Sequence, residues 1–225
     1  SDIIVSFAPG AMLTIDSGNV VTINCSQIIA RFQTIFEGYG AVGYMPNIPG
    51  VHAEWWGAAI DDSANDAYAI TAALNSCNNL YLLNGHYNIN TTVTIPTGRT
   101  ITINGAGYKN SYFTLASAAN FHAFEFISST ATTSDVTFSY CGVEEMGYAR
   151  NSTFLYFHGS SSSYANNHLT MKCMITFGTK RFLDLGYANL SHIESIYGSF
   201  NEYLFNISAG ASNISIIDSL GVSNG

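Results

Sequence analysis

Short alternating segments that recur in two columns constrain this chain more than any other feature of it. In one column stand Val136-Thr137-Phe138, Leu169-Thr170-Met171, Leu190-Ser191-His192 and Ile214-Ser215-Ile216, whose starts lie 33, 21 and 24 residues apart. In the other stand Phe124-Glu125-Phe126, Leu155-Tyr156-Phe157, Leu183-Asp184-Leu185 and Phe205-Asn206-Ile207, offset by 31, 28 and 22. Two columns that keep step at such intervals, with loops taking up the slack, are the pattern of a β-solenoid, where each unit buries its apolar face only against its neighbours. An antiparallel sandwich gives similar short runs divided by turns, so the repeat alone leaves both architectures open.

The rest of the chain fits an all-β reading. Ile3 to Phe7, Met12 to Ile15 and Val20 to Ile23 are β-like runs separated by Pro9-Gly10 and Ser17-Gly18-Asn19. From Ser63 the period changes, and Ile70, Ala73, Leu74 and Cys77 stand at helical spacing, with Ser63 or Asn65 available as a cap. After this one expected helix the strands return, broken by Asn84-Gly85, Pro96-Thr97-Gly98 and Gly105-Ala106-Gly107. The domain reading is a lead-in β segment over 1–52 and a solenoid body over 53–225.

Composition narrows the function classes. Hydrophobic residues make up 47% of the 225 positions, enough for a continuous core, while only 10% are charged. Seven basic against fifteen acidic residues give a net charge of −8, which disfavours nucleic acid, whose binding rests on phosphate neutralisation, and anionic membranes. No apolar run reaches the length of a membrane span, so membrane insertion is not expected. The cysteines, Cys25, Cys77, Cys141 and Cys173, lack zinc-site spacing and are expected as buried free thiols. Asp61, Asp62 and Asp66 suit turn and capping duty without calcium, and no metal or cofactor is called for.

Between His52 and Gly107 the order of motifs becomes specific: Glu54-Trp55-Trp56-Gly57-Ala58, Asp61-Asp62, Asn65-Asp66-Ala67, then Ala69-Ile70 and Ala72-Ala73-Leu74 in the helix. There follow Leu80-Tyr81-Leu82, Gly85-His86-Tyr87-Asn88-Ile89, Ile95-Pro96-Thr97-Gly98-Arg99 and Asn104-Gly105-Ala106-Gly107. This stretch resembles the opening segment of the pectate-lyase-like superfamily of single-stranded right-handed parallel β-helices. The residues before it, Phe7-Ala8-Pro9-Gly10-Ala11 and Ile35-Phe36-Glu37-Gly38-Tyr39-Gly40, are similar to what precedes the Trp-Gly-Ala motif in phage tailspikes. Asp62 stands where the family usually has Gly, and Asn84 where it usually has Pro. Both residues tolerate the same turns. The resemblance covers about the first half of the chain. It implies a right-handed parallel β-helix with a capping helix, carbohydrate as the ligand, and, in tailspikes, a homotrimer at the virion tail. Trp55 and Trp56 are expected to pack between the lead-in strands and the solenoid rather than to stack on sugar.

In such a family, catalysis is carried by carboxylates projecting from the solenoid face. The middle positions of the second column are Glu125, Tyr156, Asp184 and Asn206. Strands lie about 4.8 Å apart, so Glu125 and Asp184 would stand roughly 10 Å apart. That is close to the ~6.5–9.5 Å at which one carboxyl protonates a leaving group while the other activates water. Glu125 and Asp184 are therefore the catalytic candidates, with Tyr156 and Asn206 as binding residues; a solvated polar ladder is the plain alternative. The first column offers Thr137, Thr170, Ser191 and Ser215, hydroxyls that can bind sugar but cannot act as acids. Of these, Thr170 and Ser191 join the binding candidates. His192 is expected to face inward as a core histidine, and Glu144-Glu145 to face solvent. Lys180-Arg181, the only basic pair, could hold an acidic sugar.

Three functions are consistent with these residues. The first is a phage tailspike or tail-fibre segment that binds, and in full length depolymerises, a bacterial surface polysaccharide. The second is a secreted bacterial lyase or hydrolase of the same fold, and the third a structural or adhesive β-helix without turnover. The chain begins without Met and stops at Gly225 directly after a repeat. This leads to the expectation of a fragment, or of an end covered by oligomerisation.

Overall fold

The computed structural model of the chain describes residues 3–116, 121–128, 133–148, 151–159, 167–208 and 210–222. Gly225, on which the reading of an uncapped end rests, lies outside the described residues. Six short strands come first: β1 (Ile4–Ser6), β2 (Leu13–Ile15), β3 (Val20–Val21), β4 (Gln27–Ile29), β5 (Phe36–Gly38) and β6 (Ala41–Val42). They pair β1 with β4, β2 with β5 and β3 with β6. Next come β7 (Val51–His52), a 3-10 turn over Ala53–Trp56 and the helix α1 (Ala67–Ser76).

The remaining strands are β8 (Asn79–Tyr81), β9 (Gly85–Ile89), β10 (Val93–Thr94), β11 (Thr100–Asn104), β12 (Ser111–Leu115), β13 (His122–Ser128), β14 (Ser134–Ser139) and β15 (Gly142–Glu145). They continue as β16 (Thr153–Gly159), β17 (Asn167–Phe177), β18 (Arg181–Gly186), β19 (His192–Ser199), β20 (Tyr203–Ile207), β21 (Ser215–Ile217) and β22 (Leu220–Val222). One five-stranded sheet runs β10-β13-β16-β18-β20, and the largest sheet runs β7-β8-β11-β14-β17-β15-β12-β9, with β19, β21 and β22 joined through β17. Every strand pairing among the described residues is parallel, so the antiparallel sandwich does not occur. Partners are set far apart in sequence, from Val20 with Ala41 to Thr102 with Thr137, because parallel neighbours need a long connection between them.

The core lies where the sheets face one another; it is mostly aliphatic and holds a cluster of phenylalanines. Phe113, Phe124, Phe138, Phe154 and Phe182 are fully buried. Phe124 meets Phe113 at 4.8 Å and Phe138 at 5.3 Å between centroids, so β13 of the five-stranded sheet packs on both β12 and β14. On α1, Ile70, Ala73 and Leu74 are buried, as their spacing predicts. Asn65 Oδ1 accepts the Ala67 N–H, and Asp66 accepts from Ala59 and Asn88 instead of capping. Trp55 is buried, whereas Trp56 packs on Phe36 at 4.9 Å but stays half-exposed, so only Trp55 is fully given over to packing. Cys25, Cys77 and Cys141 are buried free thiols, whereas Cys173 is half-buried at a bend.

That bend recurs. Tyr140, Cys173, Ser195 and Asp218 all take left-handed backbone, with φ of 57°, 50°, 56° and 49°. The registers Ser139↔Lys172↔Glu194↔Ile217 immediately before them stack the four positions over one another. Each turns its strand between one row of side chains and the next, at a steric cost that residues other than Gly rarely bear.

Two expectations need correction. The first column slips at its third member: Thr170 pairs with His192, not Ser191, and His192 with Ser215. Leu190 takes left-handed backbone in the preceding turn and is 57% exposed, so it cannot supply the inward residue. A one-residue slip exchanges the faces. Ser191 is therefore buried, which removes it as a binding residue, and His192 points outward with Nε2 3.2 Å from Glu194 Oε2. Glu145, expected in solvent, is also buried. Its carboxylate accepts the N–H groups of Asn151 and Ser152, both at 2.9 Å, and the Ser152 hydroxyl at 2.6 Å. A buried carboxylate with such a set of donors holds a loop in place.

Candidate functional site

In the five-stranded sheet, alternation over Phe124, Glu125 and Phe126 turns the two rings inward and Glu125 outward. Direct registers then place Thr94, Glu125, Tyr156, Asp184 and Asn206 in one row across β10, β13, β16, β18 and β20. The sequence anticipated this row from Glu125 to Asn206. Thr170, by contrast, sits on β17 of the other sheet, and the structure does not bring it to this row.

Three residues beside the row complete the site. Ala123 and Phe124 are both buried, which breaks the alternation and leaves His122 facing out with Glu125. The His122 ring stacks on Tyr156 with centroids 4.4 Å apart and planes 5° from parallel. His158 stacks on Tyr156 at 3.9 Å and 5°. His158 Nε2 lies 2.9 Å from Asp184 Oδ1, and Arg181 Nη1 donates to Asp184 Oδ2 at 3.3 Å. His122 Nδ1 stands 3.5 Å from Glu125 Oε1.

This geometry gives the two carboxylates different chemistry. Asp184 has one oxygen against an imidazole and the other against a guanidinium, so its orientation is fixed from both sides. Glu125 is one-third exposed and touches only His122 within the site, at the limit of hydrogen bonding. It is the less restrained of the two carboxylates and the more open to a bound molecule. Between them the Tyr156 phenol is raised above the ordinary tyrosine range, first by desolvation and then by the negative charges of Asp184 and Glu125. It stays a neutral hydrogen-bond donor. No protein-family model, curated protein or solved structure matches this chain. The site therefore stands on its own chemistry.

His122, His158 and Arg181 were not among the sequence candidates for this row, although Arg181 was noted for acidic sugars. Once the triplets are aligned, the signal lies two positions before them, at His122 and Arg181, or one position after, at His158. His158 follows Tyr156 at the next outward position, and Arg181 opens the strand that carries Asp184. Histidine–carboxylate pairs also occur outside this sheet, His86 with Glu144 at 3.1 Å and His168 with Asp135 at 2.7 Å. Among the described residues, no group of three or more His, Cys, Asp or Glu side chains is placed to hold a metal ion.

Proposed function

We propose that the chain folds as a right-handed parallel β-helix of the pectate-lyase-like type, belongs to a phage tailspike or tail fibre, and binds and depolymerises a bacterial surface polysaccharide. In this reading it works as a homotrimer on the virion tail. The observation that carries the proposal is the outward row Glu125–Tyr156–Asp184 with imidazoles stacked on both faces of the phenol. Glycan cleavage needs a proton donor and an acceptor on either side of a bound sugar ring, with aromatic and polar groups to seat it. Glu125 is the proton-exchanging group, Tyr156 donates a hydrogen bond to the sugar, and Asn206 extends the row for a neighbouring unit. Asp184 activates water once a sugar displaces one of its two partners.

A secreted lyase of the same fold is the second reading, and one observation favours it. Arg181 shares the Asp184 carboxylate with His158, which stacks on Tyr156, so a cation for a uronate carboxylate is joined through Asp184 to two groups that can pass a proton in an elimination. The test is to incubate the protein with a panel of capsule and lipopolysaccharide glycans, scoring new reducing ends and unsaturated products, beside Glu125→Gln and Asp184→Asn. Reducing ends lost in both variants establish hydrolysis at this row, and unsaturated products establish the lyase. Binding without cleavage leaves a recognition or adhesive protein, and neither binding nor cleavage rejects the proposal.

A further inference from the structure

We propose a second saccharide site, for a neutral sugar, in the trough between the lead-in strands and α1. Two adjoining hollows of about 400 and 290 Å³ share Gly40, Val42, Trp56 and Tyr68 in their walls and so form one trough. Its combined size lies within the roughly 300–1,000 Å³ typical of small-molecule sites.

The lining decides the ligand class. Trp56 is held by Phe36 behind it, and Tyr68 and Tyr39 stand 63% and 90% exposed. Large aromatic side chains normally gain by burial. Asn19, Thr71, Asn75 and Glu37 stand among them, and none makes a side-chain hydrogen bond within the described residues. A wholly apolar ligand would desolvate those amides and that hydroxyl without replacing their bonds to water. An anion would meet no Lys or Arg in the lining, and it would face Glu37 in a chain of net charge −8. A neutral sugar satisfies both halves. Its C–H face covers an aromatic ring, and its hydroxyls pair with amide, hydroxyl and carboxylate groups. The trough is built from β2, β3, β5, β6, α1 and the 3-10 turn, none of which contributes to the Glu125 row, so the two sites are separate.

The chain supplies its own probe. It has two tryptophans, of which Trp55 is buried and Trp56 lines the trough. Tryptophan fluorescence is to be followed while the protein is titrated with methyl glucoside, methyl galactoside, N-acetylglucosamine and their disaccharides, with glucuronate as the anionic arm, up to about 50 mM to capture weak binding. The expected result is a saturable change with at least one neutral sugar, weakened about fivefold or more in Tyr68→Ala and Tyr39→Ala. Glu125→Gln should leave it unchanged, so the outcome is independent of the row on the five-stranded sheet. Both tyrosines are exposed, and the substitutions should not disturb folding; thermal melts check this. The proposal is overturned if no neutral sugar gives a saturable signal, if both variants bind as the parent does, or if glucuronate binds as tightly as the neutral sugars. It is equally overturned if the tyrosine variants change the oligomeric state in sedimentation, since the trough would then be a contact between copies.

Discussion

His158 Nε2 stands 2.9 Å from Asp184 Oδ1, and the same carboxylate takes the Arg181 guanidinium on its other oxygen, so one nearly buried acid holds two bases in position. Removing a charged hydrogen-bond partner from a largely desolvated set costs about 1–3 kcal/mol, because the groups left behind lose their compensation. Asp184→Asn should lower stability by that amount in urea titration. Glu125→Gln, on a partly exposed carboxylate with one weak partner, should change it by less than about 0.5 kcal/mol. Equal effects from the two would mean that the carboxylates are structurally equivalent.

Under the Trp-Trp-Gly turn, the Tyr87 hydroxyl donates to Glu54 Oε1 at 2.5 Å while accepting the Leu83 N–H at 2.8 Å. Burial raises the Glu54 carboxyl, with the Tyr87 bond only partly offsetting it, and burial likewise raises Asp66 from 3.8 to about 6. A carboxyl raised in the folded state binds its proton more tightly there than in the unfolded chain. Its effect on stability is therefore most favourable at low pH and worsens as pH rises from about 4 towards about 6. Glu54→Gln removes the Glu54 share. Melting temperatures measured between pH 4 and pH 8 should fall less steeply in the variant than in the parent. Parallel curves would show that Glu54 has no such linkage.

How far the sequence could be read follows from where its signals are local. The second column was legible because Phe124, Leu155, Leu183 and Phe205 each mark an inward position, and the sheet pairs them as aligned. The first column failed at Leu190-Ser191-His192 because a left-handed leucine in a turn leaves no mark in a pattern of apolar and polar letters. The His122–Tyr156–His158 stack was missed for a different reason. His122 reaches it only because two successive residues, Ala123 and Phe124, both turn inward, a break in alternation that packing decides. The trough at Trp56 joins residues from Ile15 to Asn75, and no spacing along the chain announces such a meeting.

The stacked left-handed corner predicts a stabilising change. Ser195 takes φ of 56°, and no side-chain hydrogen bond within the described residues holds it there. Ser195→Gly removes a Cβ penalty of roughly 1–2 kcal/mol and adds unfolded-state entropy of about 0.5–1 kcal/mol, for a net gain near 0.5–1 kcal/mol. Ser195→Val should instead lose about 1 kcal/mol or more, since a β-branched residue resists that conformation. Thermal melts of the three proteins should rank Gly above Ser above Val, and a reversed order would show that the corner is not strained.

Phe154 carries the last prediction because, among the described residues, it joins more rings than its neighbours do. Its centroid lies 5.2 Å from Phe182, 5.3 Å from both Phe124 and Phe138, and 5.9 Å from Phe113, and it is fully buried. It thus ties β16 and β18 of the five-stranded sheet to β12 and β14 of the larger one. Truncation to Ala removes most of a ring from a close-packed site that backbone on both sides keeps from collapsing, at a cost of about 3–5 kcal/mol. Phe154→Leu keeps most of the volume and should lose less than half of that. Because the ring spans both sheets, the loss should appear as a single cooperative shift of the urea transition, by circular dichroism and by tryptophan fluorescence alike. If fluorescence, which reports Trp55 and Trp56 beside the lead-in strands, held its midpoint while the circular dichroism midpoint fell, the lead-in would be a separate folding unit.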